Sequence, residues 1–237
     1  MMQIINLATG VGKTYLMAAF IEYLRCQGIR NVMIVTPGKT VQAKTVQNFT
    51  PGNPRYINGA QIPPDIVTPQ DYSAWVTRTN SGEKLSFGRE APVLAFIFNI
   101  QQLIAPKKEE GDTHGKTEDA TRRKPRRFDE SAGELFDYLK KLDDLVVIAD
   151  ESHLYSTSAA AFHAALKELD PAATIGLTAS VLPGDHVIER YPLYQAIHDK
   201  FVKAPVLAFR KAGYKDDVKS EEQQLRDALQ LRKIKQQ

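Results

Sequence analysis

The sequence predicts an α/β domain built on a mainly parallel sheet with helices on both faces. Three observations carry that expectation. Short apolar runs alternate along the chain with stretches whose apolar residues recur at three-to-four spacing, the order of strand, helix, strand. Runs such as Val32-Met33-Ile34-Val35 and residues 145–149 are apolar without alternation, as strands covered on both faces are. Polar clusters follow three of the strand candidates, and ligands of open α/β sheets sit at the carboxyl ends of strands.

The first run, Ile4-Ile5-Asn6-Leu7, leads into Ala8-Thr9-Gly10-Val11-Gly12-Lys13-Thr14. A helix pattern over residues 15–26 follows, with Leu16, Met17, Phe20, Ile21 and Leu24 on one face and Gly28 as its stop. Gly-x-Gly-Lys-Thr alone is also what a chance turn before a helix looks like. Between a strand and a helix it reads as a phosphate-binding loop. Thr9, Gly10, Val11, Gly12, Lys13 and Thr14 are the expected nucleotide cradle. The glycines let backbone N–H groups converge, the helix start adds its positive dipole end, Lys13 brings a full charge to the β- and γ-phosphates, and Thr14 offers a hydroxyl to Mg2+.

The strand at residues 32–35 ends in Thr36-Pro37-Gly38, with a weaker helix over 39–49. Residues 50–92 are rich in Pro, Gly and polar groups and are expected to be irregular, with one strand near 65–68. A strand at 93–98 turns into a short helix at 99–103. Composition shifts over 105–130, where Lys107, Lys108, Arg122, Arg123, Lys124, Arg126 and Arg127 mix with acidic residues and almost nothing apolar is available to bury. That stretch reads as a mobile, solvated insert whose basic end is a weaker candidate for nucleic-acid backbone.

Ser131 and Glu134 make a capping box ahead of Leu135, Phe136, Leu139 and Leu142. The strand at 145–149 ends in Asp150-Glu151-Ser152-His153. The next helix buries Phe162, Ala165, Leu166 and Leu169, and a strand at 174–177 ends in Thr178-Ala179-Ser180. Pro192 suits the first turn of a helix carrying Leu193, Ala196, Ile197 and Phe201. A last strand is expected at 206–209. Residues 1–210 thus form one domain, and 211–237 a charged, helical tail that packs on something outside this chain.

Composition excludes some classes. No apolar run approaches the ~18 residues of a membrane helix, and no secretion signal opens the chain. The single cysteine, Cys26, permits no internal disulfide and no cysteine-based metal site, and is expected to be a buried core thiol. A soluble, cytoplasmic protein fits. The net charge of +3 points only weakly to nucleic acid.

ATP hydrolysis asks a protein for charge neutralisation and a positioned water. Asp150 is placed to hold Mg2+, Glu151 to orient or deprotonate the water, and His153 to reach the γ-phosphate edge or residues 178–180. Each has a bland reading in isolation, a solvated loop or a structural histidine; the upstream phosphate loop makes the functional one the better account.

Residues 8–14 in their Ala-Thr-Gly-x-Gly-Lys-Thr form, Asp150-Glu151-Ser152-His153 and Thr178-Ala179-Ser180 resemble motifs I, II and III of superfamily 2 helicases and translocases, with Thr36-Pro37-Gly38-Lys39 where motif Ia belongs. Phe98-Asn99-Ile100-Gln101-Gln102, Arg126-Arg127-Phe128-Asp129-Glu130 and Tyr191-Pro192-Leu193 through Ala204-Pro205 look, more narrowly, like the motor subunit of type III restriction enzymes and its DEAD/DEAH-like relatives. The resemblance covers nearly all of residues 3–209. It implies a RecA-like first motor domain that binds Mg-ATP and tracks along DNA or RNA. Lys13 and Thr14 would contact phosphate and magnesium, Asp150 would be the magnesium carboxylate and Glu151 the catalytic one. Thr178 and Ser180 would couple nucleotide state to nucleic-acid grip, and Thr36, Pro37, Gly38, Lys39, Asn99 and Gln101 would face the strand. It also implies a second RecA-like domain or partner subunit carrying arginine fingers, an adenine-reading segment upstream, and methylase or nuclease partners. Low ATP turnover is therefore expected of this chain alone. A nucleotide-binding interaction module without turnover and a P-loop kinase are the alternatives; the Thr-Ala-Ser and Asp-Glu-Ser-His clusters speak against the kinase.

Overall fold

The computed structural model describes residues 2–80, 91–103, 130–155, 159–204 and 218–235. The chain divides into two compact units, Met1–Val202 and Lys203–Gln237.

In the first unit, strand β1 (Gln3–Leu7) leads through the glycine loop into helix α1 (Lys13–Cys26), and β2 (Asn31–Thr36) into α2 (Lys39–Phe49). β3 (Asp65–Val67) and α3 (Tyr72–Asn80) precede β4 (Leu94–Asn99), which runs into the single turn α4 (Ile100–Leu103). α5 (Glu130–Leu139), β5 (Leu145–Asp150), a 3-10 turn (Ser152–Tyr155), α6 (Ala159–Leu169), β6 (Ala173–Thr178), β7 (His186–Tyr191) and α7 (Leu193–His198) complete it. The seven strands form one sheet in the order β3-β4-β2-β5-β6-β1-β7. Every pairing is parallel, so the sheet is the RecA-like α/β arrangement and all strand ends share one edge.

Register decides what meets there. Thr36 pairs with Asn99, Asp150 with Leu177, and Asn6 with Thr178. The pleat splits each central strand between two apolar layers. Val32, Ile34, Ile97 and Ile148 join Met17 and Ile21 of α1 and Phe49 of α2 on one face. Met33, Val35, Phe96, Phe98 and Val147 join Leu135 and Leu139 of α5 and Phe162 and Leu166 of α6 on the other. Burial on both faces is why these strands read as unbroken apolar runs.

Several expectations need correction. Residues 72–80 form α3, not irregular chain; Tyr72 and Trp75 stack there at 6.0 Å between ring centroids. β7 was not anticipated, because an edge strand with one covered side carries little apolar signal; Ile188 at its middle is 49% exposed. α5 begins at Glu130, so Ser131 lies within the helix and not ahead of it, and Leu142 packs from beyond its end. α7 ends at His198, leaving Phe201 outside it and exposed. Cys26 is exposed: Leu24 faces the core, and two residues further rotate the side chain about 200° around the helix axis. The insert at 105–129 and the strand expected at 206–209 lie outside the described residues.

The second unit contains α8 (Val218–Lys235), a helix with Leu225, Leu229 and Leu231 exposed along a charged surface. No helix among the described residues is long and apolar enough to cross a membrane.

Candidate active site at the carboxyl edge of the sheet

Gly10 and Gly12 take φ of +87° and +97°, the left-handed region that a side chain would strain. Gly12 is the residue before α1, and its carbonyl accepts from Leu16 N–H at 3.0 Å, closing the first turn. Ala8 N–H donates to Tyr191 O at 3.0 Å, so the unanticipated β7 holds the start of the loop.

Lys13 is only 11% exposed, and its Nζ lies 3.0 Å from Glu151 Oε1. The approach is an ion pair by distance but lacks hydrogen-bond alignment, so the buried ammonium has no hydrogen-bond partner among the described residues. Such a group is costly unless something else satisfies it. A phosphate does so, which is why the residues present fit a nucleotide.

Asp150 ends β5, and its Oδ1 accepts from Glu151 N–H at 3.0 Å. Burial, and then the charge of Glu151, push the Asp150 carboxyl above the usual carboxylate range, against the opposing pull of Lys13. A cation beside it would relieve both penalties. Among the described residues no three His, Cys, Asp or Glu side chains are grouped as a metal cage. Mg2+ needs none, since it is commonly held by one or two protein ligands plus substrate phosphates. Glu151 sits at φ 50°, a conformation a non-glycine residue holds only when its surroundings impose it.

The surroundings are visible. Tyr155 O–H donates to Asp150 O at 2.5 Å and has Val35 O at 3.2 Å, bolting the turn to β2. Burial drives the Tyr155 phenol upward, so it stays a donor. On the other side, a Cβ at Gly176 would meet Ser152 Oγ at 2.8 Å and Ile4 Cδ1 at 2.6 Å. Only glycine lets the turn sit this close to β6. Neither residue was singled out from the sequence; the Gly in Thr174-Ile175-Gly176-Leu177, inside a strand pattern, was the available signal.

His153 Nδ1 lies 2.8 Å from Thr178 Oγ1 and 3.5 Å from Glu151 Oε2. The Thr178 hydroxyl donates to Ser180 O at 2.9 Å and accepts from Ser180 N–H at 3.0 Å. With its one proton used there, the hydroxyl accepts from His153, which assigns a proton to Nδ1. Lys13, Glu151, His153, Thr178 and Ser180 therefore form one continuous chain of contacts across β1, β5 and β6. Of the two destinations expected for His153, the structure shows the one at residues 178–180.

The nucleic-acid candidates divide. Thr36 and Asn99 are fully buried and turn inward. Thr36 Oγ1 donates to Phe98 O at 3.0 Å, and Asn99 Nδ2 donates to Gln42 Oε1 at 2.8 Å. Gln42 Nε2 donates in turn to Ile97 O at 2.8 Å and Gln102 Oε1 at 3.1 Å. In this conformation these two side chains brace the edge and do not present it. Lys39 and Gln101 are exposed at the same edge, and Pro37 and Gly38 are half-buried beside them.

A cleft of about 610 Å³ opens at the glycine loop, and Lys13, Thr14, Asp150 and Glu151 line it together with Arg55 and Tyr56. Residues 53–57 had been read only as irregular chain.

A search of curated proteins found no match to this chain. The family described as the type III restriction enzyme res subunit matches residues 2–182. With a parallel seven-stranded sheet, a glycine loop at its edge and an Asp-Glu turn beside it, the chain belongs to that family, and this part of it is a superfamily 2 first motor domain of the ATP-binding, helicase type.

Proposed function

We propose that the chain hydrolyses ATP as the first half of a motor that moves on DNA. The observation that carries this reading is the contact chain from Lys13 through Glu151 and His153 to Thr178 and Ser180. It joins the group that senses phosphate to the strand end whose family counterpart couples nucleotide state to nucleic-acid grip. Res-type domains act on nucleic acid and work with other subunits, which supports the same assignment.

Phosphate entering the cleft gives Lys13 the hydrogen-bond partner it lacks and draws the ammonium from Glu151. The carboxylate is then free to hold a water and accept its proton as the water oxygen bonds to the γ-phosphorus and the bridging oxygen departs. Magnesium, when bound, supplies charge neutralisation at the phosphates; Thr14 and Asp150 would hold it. His153, fixed by Thr178, keeps its imidazole beside Glu151. Release of Glu151 changes that contact and through it the 178–180 turn. Lys39 and Gln101, with the Pro37-Gly38 backbone, are the groups placed to meet strand phosphates.

In P-loop enzymes an arginine finger is worth on the order of 10³ to 10⁵ in turnover. In the family a second RecA-like domain would supply it, so residues 1–237 assayed by themselves are expected to bind ATP and hydrolyse it slowly. Phosphate release with no DNA, single-stranded DNA and double-stranded DNA measures this. Turnover of several per second from this chain, lost in Lys13→Ala, would mean that it completes its own site and would end the half-motor reading.

A further inference from the structure

We propose that Arg55 is a second cation for the triphosphate, acting from the lining of the cleft it shares with Lys13. The inference rests on the nucleotide reading above and names a contact that reading does not need. Among the described residues, Arg55 and Lys13 are the two basic side chains that line the cleft, which also holds the carboxylates of Asp150 and Glu151. A magnesium–nucleoside triphosphate remains a net anion, and two carboxylates beside it outweigh one lysine. Another positive charge at this cleft therefore has electrostatic work available that it lacks elsewhere on the surface.

Arg55 is also uncommitted and well placed. It is exposed, and among the described residues its guanidinium has neither a hydrogen-bond acceptor nor a carboxylate partner; only its backbone N–H is used, donating to Asn53 Oδ1 at 3.0 Å. The backbone beneath it is fixed from both sides. Tyr56 N–H donates to Asn53 O at 2.9 Å and Ile57 N–H to Asn48 O at 2.8 Å, while the Ile57 side chain enters the apolar layer shared with α1. Gly59 lies so close to that helix that a Cβ there would meet Ala18 Cβ at 2.8 Å. The segment carrying Arg55 is thus anchored to the same helix whose first turn offers Lys13 and Thr14. A guanidinium presents a planar fork of donors that matches phosphate oxygens, and it stays charged at any working pH.

The experiment is a fluorescence titration of the 237-residue protein with a fluorescent ATP analogue and Mg2+, with inorganic tripolyphosphate and adenosine as separate competitors. Arg55→Ala is expected to weaken both the analogue and tripolyphosphate by the same factor, about five- to tenfold, and to leave adenosine competition unchanged; Arg55→Lys should restore part of the loss. A loss confined to the analogue, with tripolyphosphate unchanged, would assign Arg55 to the nucleoside and overturn the proposal. So would wild-type affinity in Arg55→Ala while Lys13→Ala binds poorly. Wild-type affinity in Lys13→Ala would instead bring down the nucleotide reading itself, and this inference with it.

Discussion

Two parts of the same sheet edge use polar residues in opposite ways. Around the glycine loop, polar groups are left unspent: Lys13 has an ion-pair neighbour but no aligned hydrogen bond, and Glu151 stands in a left-handed conformation with its side chain 28% exposed. At the ends of β2 and β4, most polar groups are already spent: Gln42, Asn99 and Gln102 bond one another, Thr36 Oγ1 and Gln42 Nε2 donate to the backbone at Phe98 and Ile97, and of these groups Asn99 Oδ1 alone has no partner among the described residues. The first arrangement waits for a ligand. The second holds two neighbouring turns in register so that exposed residues between them can be presented. Polar residues at strand ends are therefore sites or struts according to whether their hydrogen-bonding capacity is already consumed.

Substitutions can break or sharpen that contrast. Glu151→Gln should have the largest effect, lowering turnover of the reconstituted motor by about 10²- to 10⁴-fold, because an amide cannot take the proton of water. Mg-ATP affinity should persist, since Lys13, Thr14 and Asp150 are untouched; a single-turnover assay beside a binding titration separates the two.

Lys13→Ala should weaken Mg-ATP binding on the order of 100-fold, the loss of charge-assisted bonds to phosphate from a largely buried ammonium. Its melting midpoint should hold, because the side chain belongs to neither apolar layer. A large drop in stability with unchanged affinity would make Lys13 a strut as well.

Asn99→Ala should cost stability, about 1–2 kcal/mol by denaturant unfolding, since Gln42 Oε1 is left buried without its donor. The cost is moderate because Asn99 Oδ1 itself has no partner among the described residues. The salt dependence of DNA binding should not change. A reduced slope would restore Asn99 as a direct contact.

Lys39→Ala should do the reverse, with little change in stability and a fall of roughly 0.7 to 0.9 in the slope of log affinity against log salt if one phosphate contact is lost.

Much of this molecule was legible because its strongest local patterns coincide with its tertiary roles. The unbroken run at Val32-Met33-Ile34-Val35 can only be a doubly covered strand, and the glycines before Lys13 mark a backbone that must bend where side chains would intrude. Asp150-Glu151 directly after an apolar run declares a strand end with charge on it. α3 and β7 were missed for the converse reason: a short helix in a polar stretch and a partly exposed edge strand have no local pattern strong enough to stand out.

What the sequence determined by itself was the order of the central strands and the helices that cover them, the layering of the sheet and the bend of the glycine loop, because each follows from side-chain period or from backbone freedom over a few neighbouring residues. What only the tertiary structure decided was the use of each polar group at the edge. Thr36 and Lys39 lie three residues apart, yet one is spent on Phe98 O and the other is left to solvent. Arg55 joins the cleft of Lys13 from 42 positions away, and Gly176 matters only because Ser152 and Ile4 converge on it. Those outcomes depend on partners distant in the chain, and hydrogen-bond saturation and steric room are properties of the packed neighbourhood, not of the segment.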